Sequence, residues 1–207
     1  MFPRATRVYP ITDVRLTGLP LAEQVRRLIK GGATLIQLRE KHLSPDEFYN
    51  QAKEALTVAS QHQVQIIIND RVDIALALKA DGVHLGQDDM TPETARVLLG
   101  KQALIGYSAH NSEQACRALK MPVDYIALGP IFPTSSKSDS QPVVGLDGLR
   151  DVCQIAGNVP VVAIGGITEE NAPAVFGAGA DCVAVIGAVL NIPSKISDRT
   201  RRLISQN

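Results

Sequence analysis

The stretch Thr34-Leu35-Ile36-Gln37-Leu38-Arg39-Glu40-Lys41 carries the first evidence about the fold. Apolar and β-branched residues bounded by Gly31-Gly32 predict a short buried strand, and the charged residues follow at its C-terminal end. Alternation along a strand would divide these side chains between two sides, Gln37, Arg39 and Lys41 on one and Leu38 and Glu40 on the other. Two cations and an amide at a strand end indicate an anion site, and a rim of salt bridges is an equal alternative.

Seven further segments of similar character occur along the chain, and each is followed by a loop and a helical pattern. The eight predicted strands cover residues 7–11, 34–38, 65–68, 82–85, 103–107, 125–128, 161–164 and 182–186. Strands that are apolar throughout and alternate with amphipathic helices predict a parallel sheet covered on both faces. Eight such units in 207 residues fit an α/β protein with a (β/α)8 TIM barrel, a single compact domain over residues 1–207. An open doubly wound sheet is the alternative, but its glycine fingerprint after the first strand is missing.

Helix boundaries follow from capping signals. Ser44-Pro45-Asp46-Glu47 has an N-cap, a proline at the first helical position and acids in the first turn, so a long helix begins there. The other predicted helices cover residues 19–29, 72–78, 91–99, 111–119, 168–177 and 194–205.

Composition limits the classes of partner. Lysine plus arginine equals aspartate plus glutamate at 21 each, so the chain lacks the basic balance of a nucleic-acid-binding protein. The apolar runs are far shorter than the roughly 18 residues of a membrane span. The three cysteines, Cys116, Cys153 and Cys182, show no metal or redox spacing, which predicts buried thiols in a reducing cytoplasm. A homo-oligomer is compatible with these properties.

Polar residues collect where the predicted strands end. In a parallel barrel the site lies at the C-terminal ends of the strands, and those ends carry Gln37, Arg39, Lys41, Asn69, Asp70, Asp88, Asp89, Ser108, Thr134, Ser135, Ser136, Lys137, Gly165, Gly166 and Gly187. The opposite ends carry mainly small residues and turn formers. This asymmetry predicts an enzyme that acts on small molecules.

The chemistry of these residues indicates two anion sites. Asp70 and Asp89 are hard oxygen ligands, and Mg²⁺ commonly takes one or two carboxylates together with water and substrate phosphates. Arg39, Lys41 and Lys137 can hold phosphate oxygens. Glycines at strands seven and eight let backbone N–H groups approach a second phosphate. Two phosphorylated substrates, one of them a diphosphate, would occupy both sites.

Several of these residues also have structural alternatives. Asp70 could cap the helix that begins at Arg71, and Asp88 and Asp89 could be solvated turn residues. A histidine inside a buried strand, such as His84, is more often a hydrogen-bonded core residue than a base. His110 is ambiguous.

With these residues in hand, the chain resembles the thiamine-phosphate synthase family over residues 7–190. The motifs that carry the resemblance are Gln37-Leu38-Arg39-Glu40-Lys41, Asn69-Asp70-Arg71, Gly86-Gln87-Asp88-Asp89, Gly106-Tyr107-Ser108-Ala109-His110, Gly129-Pro130-Ile131-Phe132-Pro133-Thr134-Ser135-Ser136-Lys137 and Ile164-Gly165-Gly166-Ile167. Each motif is weak alone, but their order makes the set specific. The resemblance implies a TIM barrel that joins hydroxymethylpyrimidine diphosphate to thiazole phosphate and releases pyrophosphate.

The resemblance also implies roles for individual residues. The pyrimidine diphosphate would be held by Gln37, Leu38, Arg39, Glu40, Lys41, Asn69, Ser108 and Lys137, and Mg²⁺ by Asp70 and Asp89. The thiazole phosphate would be held by Thr134, Ser136, Gly166, Ile186 and Gly187, and Ser135 would also belong to the substrate-binding residues. Arg39, Lys41, Lys137 and Ser108 would act in catalysis by neutralising and orienting the leaving group. No nucleophile is implied, and the strand ends show no Ser/His/Asp or Cys/His arrangement.

Two positions depart from the family pattern. The family usually has serine where this chain has Gly187, and threonine where it has Ser136. Loss of a hydroxyl–phosphate hydrogen bond of about 1.5–3 kcal/mol would weaken thiazole phosphate binding roughly ten- to a hundredfold.

Two other functions remain as alternatives. The related thiazole tautomerases use a histidine in the loop after strand six, where this chain has Pro130. A non-catalytic barrel that senses a thiamine precursor is the second alternative. The Ser-rich segment 134–141 leads to the hypothesis of a lid that closes over substrate.

Overall fold

Eight strands alternate with helices in the computed structural model, which describes residues 2–3, 5–134 and 141–206. The strands are β1 Val8–Pro10, β2 Leu35–Leu38, β3 Gln65–Asn69, β4 Gly82–Leu85, β5 Leu104–Ala109, β6 Tyr125–Leu128, β7 Val161–Ile164 and β8 Cys182–Val185. The α-helices are α1 Val14–Thr17, α2 Leu21–Lys30, α3 Pro45–Ser60, α4 Val72–Leu78, α5 Pro92–Leu99, α6 Ser112–Ala118, α7 Gly145–Ala156, α8 Ala172–Gly177, α9 Gly187–Leu190 and α10 Ile196–Ser205.

The strands form one parallel sheet in the order β1-β8-β7-β6-β5-β4-β3-β2. The two end strands meet through a parallel bridge between Ile11 and Gln37. The Thr12 N–H donates to the Gln37 carbonyl at 2.9 Å across the same seam. The sheet therefore closes on itself, and the predicted (β/α)8 barrel is confirmed.

Most predicted elements are present with small boundary shifts. Strand β5 extends to Ala109, two residues beyond the prediction, so Ser108 lies within the strand. The capping box at the start of α3 is complete, because the Ser44 hydroxyl accepts from the Glu47 N–H and the Glu47 carboxylate accepts from the Ser44 N–H. Helices α1, α7 and α9 were not predicted. Four residues, the length of α1 and of α9, are too few for a helical period to be visible, and the 12 residues of α7, which follow the long loop after β6, were not assigned to a helix.

One kind of hydrogen bond occurs three times at the amino end of the barrel. An aspartate just before an even-numbered strand accepts from a backbone N–H of the strand before it: Asp81 from Ile66 at 2.7 Å, Asp124 from Ile105 at 2.9 Å and Asp181 from Val161 at 2.8 Å. The recurring small-residue-plus-Asp pattern is thus turn chemistry that ties neighbouring strands together. Acids at this end have structural partners and lie opposite the predicted site.

The cysteines differ from the prediction in part. Cys182 is buried and Cys153 is partly buried, whereas Cys116 is exposed on the surface helix α6. The prediction of three buried thiols is therefore wrong for Cys116. Across residues 2–3, 5–134 and 141–206, no helix has the length and apolar character needed to cross a membrane.

Candidate active site

The end of β2 is arranged differently from the predicted alternation. The strand stops at Leu38, so the side-to-side pattern does not continue to Lys41. Gln37 lies inside the barrel with 2% of its surface exposed, and its Nε2 donates to the Tyr9 hydroxyl at 3.1 Å. Leu38 is fully buried. A contact of Gln37 or Leu38 with substrate stays a prediction.

The two cations that follow β2 each lie beside a carboxylate. Arg39 Nη1 is 3.9 Å from the Asp13 Oδ2, and its backbone N–H donates to the Thr12 hydroxyl at 3.1 Å. Lys41 Nζ donates to the Asp70 carboxylate while 46% of the Lys41 side chain stays exposed. The alternative of a salt-bridged rim therefore describes these contacts. It does not exclude anion binding, because exposed ion pairs are weak and can exchange partners.

Glu40 orders the loop between β2 and α3. Its Oε1 accepts from the backbone N–H groups of Lys41 at 2.8 Å, His42 at 2.6 Å and Leu43 at 3.2 Å. Three donors on one oxygen hold the loop that carries Lys41 toward the next strand end. This positioning role for Glu40 could not be read from the motif alone.

Asp70 and Asp89 come together from the ends of the adjacent strands β3 and β4. Asp70 has a left-handed backbone with φ 61°, and the following helix has no side-chain cap, so the capping alternative is wrong. Asp89 Oδ2 accepts from the Gly86 N–H at 2.7 Å, which closes the turn after β4. Burial and the neighbouring Asp70 carboxylate raise the pKa of Asp89 above its usual range, against the opposing effects of the Gly86 N–H and Lys41.

This pair of acids suits a hard divalent cation. Two carboxylates that come close enough to raise a pKa favour a positive charge between them, and the Lys41 ammonium already contacts one of them. Among the residues that the structure describes, no group of three or more His, Cys, Asp or Glu side chains has the arrangement of metal ligands. Two protein ligands fit Mg²⁺, which retains water and substrate phosphate in its other positions. Asp70 and Asp89 would hold it.

Ser108 contacts a buried histidine. The His84 Nε2 is 2.9 Å from the Ser108 Oγ, and the His84 Nδ1 is 3.0 Å from the Tyr125 hydroxyl. The prediction that His84 is a hydrogen-bonded core residue is confirmed. This Ser–His contact was not predicted, and its third member is the neutral Tyr125 hydroxyl rather than a carboxylate.

A cavity of about 740 Å³ lies at the carboxyl ends of β5–β8. Its lining includes five residues predicted for the substrate site: Ser108, Thr134, Gly166, Ile186 and Gly187. Gly165 and Gly166 have φ of 101° and 65°, and a Cβ at Gly166 would lie 2.6 Å from the Pro133 carbonyl oxygen. Glycine is thus required at this wall by both backbone conformation and space.

Helix α9 begins at Gly187 and brings residues into the cavity that were not predicted. Ala188 and Asn191 line it, and α10 adds Arg199. The first N–H groups of a helix have no partner within the helix, so backbone donors at Gly187 and Ala188 suit a phosphate. His110 also lines the cavity, where its Nδ1 lies 2.7 Å from the Gly129 carbonyl oxygen.

The predicted residues thus fall into two groups. One consists of Arg39, Lys41, Asp70 and Asp89 at the ends of β2–β4, and the other surrounds the cavity at β5–β8. Asn69 ends β3 with 7% of its surface exposed. Ser135, Ser136 and Lys137, with most of the predicted lid 134–141, lie outside the described residues.

A closed parallel barrel with a carboxylate pair and a glycine-lined cavity at the same end defines the class of phosphate-binding (β/α)8 barrels. Residues 8–189 match the family model for thiamine monophosphate synthase. A thiamine-phosphate synthase of Clostridium novyi is 49% identical over 185 residues, which cover 89% of this chain and 90% of the relative. One of Chloroflexus aurantiacus is 46% identical over 89% of this chain and 85% of its own length.

A solved structure agrees with these sequence comparisons. The thiamine phosphate pyrophosphorylase of Pyrococcus furiosus has a TM-score of 0.88 and 37% identity, with 98% of this chain and 97% of that chain covered. The chain belongs to the thiamine-phosphate synthase family. The resemblance inferred from the motifs is confirmed.

Proposed function

We propose that this chain joins hydroxymethylpyrimidine diphosphate to thiazole phosphate, which gives thiamine phosphate and pyrophosphate, with Mg²⁺ held by Asp70 and Asp89. The observation that carries the proposal is the division of the barrel's carboxyl end into a carboxylate–lysine cluster and a glycine-lined cavity. The family relationship supports the same reaction. Bound Mg²⁺ would supply charge neutralisation for the diphosphate leaving group.

The residues of the chain have separate tasks in this reaction. Arg39 and Lys41 bind diphosphate oxygens, and each side chain leaves its carboxylate partner to do so. The bond between the pyrimidine methylene carbon and the diphosphate oxygen breaks, and its electron pair leaves with pyrophosphate. The thiazole nitrogen then supplies the pair for the new C–N bond. No proton has to be removed from either substrate in these steps, so no general base is required.

The cavity holds the second substrate in this proposal. Its phosphate lies at the beginning of α9, near Gly166 and Gly187, which line the cavity. Thr134 closes the same wall. Lys137 would add a cation from the segment that lies outside the described residues. The three free cysteines accord with a reducing cytoplasm as the place of action.

The test is formation of thiamine phosphate from the two purified substrates with Mg²⁺ and with EDTA. We expect product only with Mg²⁺. Product in EDTA would reject the metal requirement and leave the transfer reaction standing. Absence of product under both conditions, with isomerisation of the thiazole compound alone, would reject the synthase in favour of the tautomerase.

A further inference from the structure

A second cavity, of about 660 Å³, lies at the amino end of the barrel, opposite the candidate active site. The last turns of α3 and α4 and the first residues of β3 border it. The lining of this amino-end cavity includes Lys53, Leu56, Gln63, Val64, Leu78 and Lys79. Its volume is within the range of small-molecule sites, about 300–1,000 Å³. The proposed reaction does not use it.

The cations and the acid of this cavity differ in their partners. Lys53 and Lys79 are exposed, and neither ammonium group has an ion pair or a hydrogen bond within the described part of the chain. The Asp81 carboxylate, by contrast, accepts from the Ile66 N–H at 2.7 Å. Two cations without partners, beside one acid that is already hydrogen-bonded, favour an anionic occupant.

The ends of the two helices do not reverse this preference. The Ala59 carbonyl of α3 accepts from the Val64 N–H at 3.1 Å, and the Leu76 carbonyl of α4 accepts from the Lys79 N–H at 3.2 Å. The carbonyl groups of a helix end attract a cation most strongly when no N–H covers them. The lysines therefore dominate the charge that a ligand would meet here.

Two polar side chains of the cavity belong to residues with left-handed backbone. Gln63 has φ 56° and Lys79 has φ 52°. Within the described ranges, the one other non-glycine residue with positive φ is Asp70, in the candidate active site. Glycine takes this conformation without strain and is the usual residue after a helix end. An amide and a cation at two such positions of one cavity indicate that their side chains are used.

Apolar side chains complete the lining. Leu56, Val64 and Leu78 contribute the aliphatic part of the wall. Apolar contact would add affinity for a ligand that carries a ring, and inorganic phosphate cannot gain from it. A phosphate group carries close to two negative charges at neutral pH, which matches the two lysines. A phosphate monoester with an apolar ring combines both properties.

Both elements that border the cavity end beside Asp70 at the other end of the barrel. Strand β3 runs from the cavity to Asn69, and α4 begins at Val72 and runs back to the cavity. Between them the Asp70 N–H donates to the His84 carbonyl at 2.8 Å, and the Asp70 carbonyl accepts from the Val72 N–H at 3.2 Å. A displacement of α4 by an occupant would therefore reach the backbone of Asp70.

We propose that the amino-end cavity binds a phosphate monoester that carries an apolar ring, held by Lys53 and Lys79, and that its occupant alters turnover through β3, α4 and Asp70. The binding site and its ligand class are independent of the reaction. The effect on turnover rests on the proposed function.

Phenyl phosphate and inorganic phosphate are the probes for this site, and ¹H–¹⁵N spectra of the full chain locate their binding. We expect phenyl phosphate to shift the amide signals of Gln63 and Lys79 to saturation, with at least about tenfold higher affinity than inorganic phosphate. Equal affinities would overturn the monoester in favour of free phosphate. Shifts confined to Gly166 and Gly187 would overturn the site, because only the cavity at β5–β8 would then be occupied.

Removal of the two charges tests the role of the lysines. The double variant Lys53→Met and Lys79→Met keeps the length of both side chains, and we expect it to bind phenyl phosphate at least about tenfold more weakly. Lys101→Met with Lys120→Met removes two exposed lysines outside the cavity and is the matched control, with unchanged affinity. An equal loss in both double variants would reduce the effect to general electrostatic attraction and overturn the site.

Lys79→Gly distinguishes a ligand contact from a helix end. Glycine suits the left-handed backbone, so Tm should not fall, whereas the affinity for phenyl phosphate should fall at least about threefold. Unchanged affinity would show that Lys79 only ends α4, and it would overturn the assignment of this side chain to the ligand.

The rate of thiamine phosphate formation tests the effect on Asp70. With both substrates saturating, we expect phenyl phosphate to change kcat at least about twofold in the wild type and to have no effect in the double variant without Lys53 and Lys79. A kcat independent of phenyl phosphate, while the spectra show binding, would overturn the effect on turnover. Absence of product without phenyl phosphate would instead contradict the proposed function, and the spectra would still decide the binding site.

Discussion

Substitution of Asp89 distinguishes a role as a metal ligand from a role as a turn residue. Its carboxylate has two contacts of different kind, the Gly86 N–H at 2.7 Å and the neighbouring Asp70 carboxylate. Asp89→Asn keeps an oxygen for the Gly86 N–H and removes the charge, whereas Asp89→Ala removes both. Asp88, exposed and adjacent, provides the matched control Asp88→Asn.

The effect on stability follows from these contacts. In Asp89→Asn the lost repulsion from Asp70 and the lost attraction to Lys41 oppose each other, and we expect a free energy of unfolding within about 0.5 kcal/mol of wild type. Asp89→Ala leaves the Gly86 N–H without its charged acceptor, and we expect a loss of about 1.5 kcal/mol at this half-buried site. For a chain of this length that loss lowers Tm by about 3–6 °C.

The effect on turnover should be much larger and should not follow stability. A carboxylate that binds Mg²⁺ is needed when charge develops on the leaving group, so Asp89→Asn should lower kcat at least about 100-fold, or about 2.7 kcal/mol. Steady-state rates at several Mg²⁺ concentrations, with Tm recorded for each variant, measure both effects. Asp88→Asn should behave as wild type in both.

The raised pKa of Asp89 adds a dependence on pH. The folded protein favours the protonated carboxyl of Asp89 more than the unfolded chain does. Ionised Asp89 therefore lowers the free energy of unfolding at pH values above its pKa, and this loss of stability disappears as the pH falls through that pKa. Protons and Mg²⁺ compete for the carboxylate, so more Mg²⁺ should move the acid limb of activity to lower pH. Wild-type turnover in Asp89→Asn, or an acid limb independent of Mg²⁺, would refute this reasoning.

Two further substitutions test the cavity and the barrel interior. Gly187→Ser should lower KM for thiazole phosphate roughly tenfold or more, since a hydroxyl–phosphate hydrogen bond contributes about 1.5–3 kcal/mol. The new Cβ would lie 3.1 Å from the Asn191 Oδ1, which belongs to an exposed amide that can move. Steady-state kinetics measure the effect, and an unchanged KM would contradict the predicted phosphate contact. Gly106→Ala should lower the free energy of unfolding by about 3 kcal/mol through overlap with Tyr125, and a thermal unfolding midpoint within about 2 °C of wild type would contradict the steric role of Gly106.

Local sequence patterns were sufficient to predict the strands and the polar residues at their ends. The apolar runs that end at Asn69-Asp70 and Gly86-Gln87-Asp88-Asp89 are readable because strand length and turn chemistry are properties of neighbouring residues. Asp70 and Asp89 were correctly expected to come from adjacent strands. The alternation from Gln37 to Lys41 failed because β2 stops at Leu38, and a pattern of period two has no meaning beyond the strand.

The hydrogen bond between the buried Tyr9 and Tyr125 hydroxyls was not visible in the same way. Tyr9 and Tyr125 are 116 positions apart, and their contact depends on the register of strands that meet only in the closed barrel. A tyrosine inside an otherwise aliphatic strand is the signal that could have drawn attention to each of them, because a buried hydroxyl needs a partner.

The sequence by itself determined the parallel barrel, the end of the barrel at which the polar residues collect, and the family, because each depends on period, composition or ordered motifs. Only the tertiary structure decided which side chains meet. The partners of Lys41, the burial of Gln37 and the contact of His84 with Ser108 depend on barrel closure and strand register. Register is set by packing between segments distant in sequence, and local pattern carries no information about it.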